Sequence, residues 1–191
     1  MIDYKAPEKS IVKPGEKIMD NCQKHGLIVI GYPGIGKSTV VKSSSAKIID
    51  FESSLFYINN KRQSDWYKIY AKQATELAKQ GYMVLVSSHN EVRDELAKYI
   101  PDSAFDVVTI APAYHLEKEW AEKLRDRNRD NPNPKNFVAY MNVIERYHEQ
   151  ISDMASDTRF SHIFINSMDY RLGKILSDVG SIFNFGRKSF V

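Results

Sequence analysis

Cysteine is nearly missing from this chain. Cys22 is its one thiol among 191 residues, so no intrachain disulfide framework is available and the fold must rest on its core. No apolar run approaches the length of a membrane span, and residues 1–11 are polar rather than signal-like. With the lone thiol, this sets the expectation of a cytoplasmic protein with no membrane partner. An excess of one charge is missing too. Lys and Arg number 27 against 24 Asp and Glu, a mild and evenly mixed balance that speaks against nucleic acid as a partner while suiting small polyanionic ligands. There is no low-complexity tract and no internal repeat. At 42% hydrophobic and 27% charged residues the chain has the make-up of one that folds, and its length suits one domain better than two.

What is present is an alternation of short apolar runs and helical patterns. Strands are predicted over 26–30, 46–51, 82–86, 106–110 and 160–165, and helices over 66–79, 91–100, 135–154 and 170–182. The spacing of Phe137, Met141, Ile144, Tyr147 and Ile151 predicts a single apolar stripe along the long helix. Asn131-Pro132-Asn133-Pro134 ends whatever helix precedes it. Residues 1–25, with Pro7 and Pro14, read as an N-terminal extension holding a short helix over 16–24. Alternating strands and helices imply an α/β fold with a parallel sheet covered on both faces and ligands at the carboxyl ends of its strands.

At the end of the first strand the chain reads Gly31-Tyr-Pro-Gly-Ile-Gly-Lys-Ser38, two glycines five apart followed by Lys and Ser. A strand turning through glycines into a helix aims backbone N–H groups and the positive end of the helix dipole at one point, a phosphate cradle. Gly34, Ile35, Gly36, Lys37, Ser38 and Thr39 are the expected cofactor contacts. Lys37 would neutralise the outer phosphates and the Ser38 hydroxyl would take a place on magnesium (Mg2+) with ATP bound.

Asp50 and Glu52 flank Phe51 at the end of the second strand, and alternation puts both carboxylates on one side. The third strand ends Val84-Leu85-Val86-Ser87-Ser88 with no Asp, so Asp50 becomes the candidate metal carboxylate, with Glu52 beside the substrate. Ser88, His89 and Arg93 lie at the same edge, Arg93 offering a bidentate fork for an acceptor phosphate. Arg62 and Trp66 are further acceptor contacts, Trp66 as a stacking face. Arg125, Arg127 and Arg129 sit in a charged segment readable as a mobile flap closing over the transferring group. Their spacing lets at most two reach the site together, and Arg125 and Arg129 are the expected pair. Asn166-Ser-Met-Asp169 carries Ser where a GTPase base-reading motif has Lys, and is retained as an adenine-contacting loop.

These residues resemble the P-loop nucleoside monophosphate kinases and their shikimate-kinase-like relatives. The Gly-x-Pro-Gly-x-Gly-Lys form is similar to that of adenylate kinases, and the Asp50-x-Glu52 pair to the acidic pair of the shikimate-kinase group. The Asp50-to-Ser54 segment resembles small phage-encoded nucleotide kinases. The resemblance implies a P-loop NTPase three-layer sandwich with a five-stranded parallel sheet and a small helical lid, as one domain over 26–191. Its acceptor region would lie at about 51–80 and its lid at about 114–134. It implies transfer of the γ-phosphoryl of ATP to a nucleoside or deoxynucleoside monophosphate, with Lys37, Asp50, Arg93, Arg125 and Arg129 carrying the reaction in a monomer or homodimer. A kinase of a small hydroxylated metabolite and a nucleotide-dependent ATPase or switch stay open as alternatives.

Overall fold

In the computed structural model, which describes residues 25–43, 47–58, 61–102, 104–183 and 185, strand β1 (Gly26–Gly31) is buried along its whole length. That burial explains its continuous apolar run, because a central parallel strand is covered on both faces. It pairs in parallel with β5 (Met83–Ser87) on one side and β6 (Phe105–Pro112) on the other. The edges are β2 (Ile48–Asp50), parallel to β5, and β7 (Ser161–Ile165), parallel to β6, giving the order β2-β5-β1-β6-β7. All five expected strands form, β6 longer and β2 shorter than the patterns suggested.

The chain leaves β1 through the glycine loop and α1 (Lys37–Ser43) to the far edge. It returns through a two-stranded antiparallel hairpin, β3 (Tyr57–Ile58) with β4 (Lys61–Arg62), and α2 (Trp66–Lys79) to β5. After α3 (Asn90–Ala97) the winding crosses to the other side of β1. Such a reversal leaves a crevice at the carboxyl ends of the central strands, which is where the glycine loop lies. The fold is therefore the expected α/β sandwich around a five-stranded parallel sheet.

Between β6 and β7 run α4 (Glu117–Asp130) and α5 (Pro134–Ala155), and α6 (Leu172–Ile182) closes the chain. The Asn-Pro-Asn-Pro break works as its chemistry predicts: Pro134 opens α5 and the Asn133 side chain caps it by accepting from the Asn136 N–H. The single stripe along α5 does not hold. Arg146 has non-helical angles (φ −138°, ψ 16°) inside it, and this kink rotates the two halves out of register. Tyr147 and Ile151 are buried, whereas Phe137 and Ile144 stand more than half exposed. Among the described residues no helix is long and apolar enough to cross a membrane. The expected extension over 1–25, with its helix over 16–24, lies outside the described residues apart from His25.

Candidate phosphate-binding site

The loop after β1 takes the shape its glycines permit. Gly34 and Gly36 hold φ +86° and +97°, values that side-chain-bearing residues resist. The loop amides and the start of α1 converge on the carboxyl edge of the sheet. Lys37 folds back over the loop and donates to the Gly31 carbonyl at 3.0 Å. Burial pulls its pKa below the ordinary lysine range, opposed by the negative charges of Asp50 and Glu52. Ser38 and Thr39 stay exposed at the mouth.

Asp50, the last residue of β2, arrives beside this lysine. Burial pushes its carboxyl up, while Lys37 and a hydrogen bond from the Ser38 hydroxyl hold it down. Its Oδ1 is buried with no hydrogen-bond partner among the described residues. Leaving such an oxygen unpaired costs roughly 1–3 kcal/mol or more for a charged group, so this atom calls for a ligand. Glu52 does not share that situation, because it pairs with Lys135 in the first turn of α5. The charges of that lysine and of Arg127 also weigh against the charge on Lys37; the sequence does not single out Lys135, and it sets Arg127 aside in favour of Arg125 and Arg129.

The charged segment is not a detached flap. Trp120, fully buried, donates its indole N–H to the Pro33 carbonyl at 2.9 Å, and Leu124 packs over Gly34. Trp120 also stacks with Tyr170, whose hydroxyl donates to the Ile35 carbonyl at 3.1 Å. The Lys123 ammonium lies 4.4 and 4.7 Å from the centres of those two rings and donates to the Tyr170 oxygen at 2.6 Å. Burial, and then Arg127, lower its pKa to about 8. Tyr32 in the loop is held from α5 through Gln150 at 2.9 Å. The loop is thus clasped by α4, α5 and the segment after β7.

This seating reverses the choice among the arginines. Trp120, Lys123, Leu124 and Arg127 follow i, i+3, i+4, i+7 and share the face turned to the loop. Arg125 and Arg129 lie about 200° round the helix from Arg127 and pair with Asp126, Arg129 also with Asp130. Arg127 has no ion pair among the described residues. The apolar pair Trp120 and Leu124 in an otherwise charged run was the signal that could have found it.

Arg93 is the largest departure. Its side chain is 5% exposed and tied to Asp157, itself 5% exposed, at 3.0 Å. It donates further to the Asp153 carbonyl at 3.2 Å and to Asn90 Oδ1 at 3.0 Å. A guanidinium committed in this way locks α3 to the turn after α5 and is withdrawn from any acceptor. Trp66 is likewise core: it is buried among Phe56, Tyr67, Tyr70 and His89, leaving no free stacking face. His89 hydrogen-bonds Ser87 Oγ through Nδ1 at 3.0 Å, and Ser88 is half-buried beside it at the carboxyl edge of β5. Arg62 lies on β4 with its side chain outside the described residues. The 166–169 loop follows β7 at the same edge, and its Asn166 carbonyl accepts from His115 at 3.2 Å.

A parallel sheet whose central strand runs through this glycine loop into a helix defines the chain as a P-loop α/β fold. No family model and no curated protein matches it. Among solved structures it is similar to a gluconokinase from Sinorhizobium meliloti 1021, at 16% identity over 82% of this chain and 90% of that one, with a TM-score of 0.48. It is similar also to shikimate kinase from Bacteroides thetaiotaomicron, at 12% identity over 82% and 96%, TM-score 0.49. A third likeness is to polyphosphate kinase 2 from Arthrobacter aurescens TC1, at 12% identity over 90% and 74%, TM-score 0.49.

Proposed function

We propose that the chain is an ATP-dependent phosphotransferase that moves the γ-phosphoryl group to a nucleoside or deoxynucleoside monophosphate. The observation that carries this reading is the Asp50 Oδ1, buried and without a hydrogen-bond partner among the described residues, beside Lys37 and Ser38 at the mouth of the phosphate loop. Transfer of a phosphoryl group asks for positioning and charge neutralisation more than for covalent chemistry. The loop amides and Lys37 hold the phosphates, and anions bound there would restore the charge on Lys37 that burial opposes. The Ser38 hydroxyl and the Asp50 carboxylate are hard oxygen donors that fit magnesium, which needs few protein ligands and keeps several waters. When bound, Mg2+ would neutralise charge between the phosphates.

On the acceptor side the reading rests on Arg127 and Lys135. The charges of both are felt at the site's central lysine, and together they would provide the cations that Arg93, Arg125 and Arg129 do not. A second reading, a kinase for a neutral hydroxyl with Asp50 as base, is supported by the commitment of Arg93 to Asp157 and by the raised Asp50 pKa. The test is incubation with radiolabelled ATP, magnesium and, separately, each ribo- and deoxyribonucleoside monophosphate and a panel of polyols and hydroxy acids, with the products resolved. Diphosphate formation from a monophosphate supports the first reading. Label transfer to a hydroxyl compound alone replaces it with the second, and release of inorganic phosphate alone, unaffected by any acceptor, overturns both.

A further inference from the structure

The pairing of β2 with β5 stops in an unusual way at the site. In a parallel pair the hydrogen bonds are evenly spaced and alternate in direction. Here the ladder includes the Met83 N–H to the Lys47 carbonyl at 2.8 Å and the Phe51 N–H to the Leu85 carbonyl at 2.9 Å. The next rung in that register would run from the Ser87 N–H to the Phe51 carbonyl. It is replaced by a side chain. The Ser87 N–H donates to the Tyr70 hydroxyl oxygen at 3.0 Å, and that hydroxyl donates to the Phe51 carbonyl at 2.5 Å. Two bonds in series stand where the ladder would have one.

Tyr70 comes from α2, is fully buried, and stacks its ring on Phe51 at 4.7 Å with an interplanar angle of 17°. A phenylalanine would fill the same space against Phe51, Phe56 and Trp66, so packing alone does not account for the hydroxyl. The hydroxyl sits where β2 releases Asp50, Phe51 and Glu52. It stands between the two strands at their carboxyl ends and leaves neither backbone group unsatisfied. Burial pushes the phenol pKa up, which keeps it a donor across the working range.

We propose that the Tyr70 hydroxyl is a positioning residue for the site, an inserted rung that sets where the Asp50 and Glu52 carboxylates stand relative to the phosphate loop. The proposal rests on the reading of that pair given above. Without the hydroxyl, Ser87 and Phe51 would bond directly and β2 would draw toward β5, displacing the carboxylate that faces Lys37 and Ser38.

The test is Tyr70→Phe in the full chain, read in three ways. Circular dichroism reports the fold, a crystal structure of the variant gives the Ser87 N to Phe51 O separation and the place of Asp50 relative to Lys37, and steady-state kinetics separate the ATP and acceptor terms. The expected result is a retained fold with a direct Ser87 to Phe51 bond of about 3 Å and a displaced Asp50 carboxylate. Acceptor turnover should fall about tenfold while the KM for ATP stays within about twofold. Strand ends and an Asp50 carboxylate that stand where they do in the unaltered protein overturn the proposal, as does loss of the fold, which would make the hydroxyl a brace for stability instead. If the unaltered protein phosphorylates no acceptor, the proposed function fails, and the strand geometry of the variant still decides the role of Tyr70.

Discussion

Lys37 and Asp50 each carry a charge that burial opposes and the other supports. Around that pair the cations divide by partner rather than by residue type. Arg93 is spent on a buried carboxylate, whereas Lys135, 54% exposed, pairs with the 31% exposed Glu52. The two should therefore respond in opposite ways to truncation. Breaking a buried pair from one side costs about 3–5 kcal/mol, and Arg93→Ala should fall at the lower end because Asp157 keeps Arg159 at 2.7 Å. Its KM for the acceptor should not change. Lys135→Ala removes a largely solvated pair and should shift stability by less than about 1 kcal/mol, yet raise the acceptor KM about tenfold. Urea melts and initial-rate kinetics on both variants check this, and a raised acceptor KM in Arg93→Ala with an undisturbed one in Lys135→Ala would reverse the assignment.

The loop and α4 form one mechanical unit, because the conformation of Gly34 and the packing of Leu124 depend on each other. A Cβ on Gly34 would stand 2.8 Å from Leu124 Cδ2, and the residue holds φ +86°. Gly34→Ala thus meets a clash that Leu124→Ala relieves and a backbone strain of about 1–3 kcal/mol that it does not. Leu124→Ala alone leaves a cavity costing about 2–5 kcal/mol. The double variant should be less destabilised than the sum by about 1 kcal/mol, measured by denaturant unfolding of all four proteins; strict additivity would mean that helix and loop are not in contact. This coupling also shows where reading the chain alone runs out. The five strands were legible because buried parallel strands must be apolar and β-branched, and α2 was legible over its full 66–79 span from its period. The glycine turn after β1 and the place of Asp50 at the end of β2 were legible from spacing and strand position. The partners of Arg93 and Lys135 were not, since each lies far along the chain: Asp157 is 64 residues from Arg93, and Glu52 is 83 from Lys135. The Arg146 kink was hidden too, for no proline or glycine marks it.

At the scale of the whole molecule these buried charges shape how stability depends on pH. Lys123, wedged against Trp120 and Tyr170, has its pKa lowered from 10.5 to about 8, the ring faces recovering part of the cost of burial. Between those values the unfolded chain holds a proton that the folded chain has given up, so stability rises with pH across that window. Lys37, also lowered, acts in the same sense below 10.5. The buried phenols work the other way. Burial raises Tyr32, Tyr70, Tyr147 and Tyr170 above the ordinary 10.0, so above about pH 10 the unfolded chain loses phenolic protons that the folded one keeps, and stability falls. The two slopes meet in a stability maximum on the alkaline side, between about pH 9 and 10. Urea midpoints measured from about pH 7 to 11 should climb above about pH 8 and then drop. In Lys123→Met the climb should shrink while the drop persists, because the phenols are untouched. A profile flat from about pH 8 to 10 in the unaltered protein would mean that Lys123 keeps its proton between the rings, and that their attraction outweighs the burial of the ammonium.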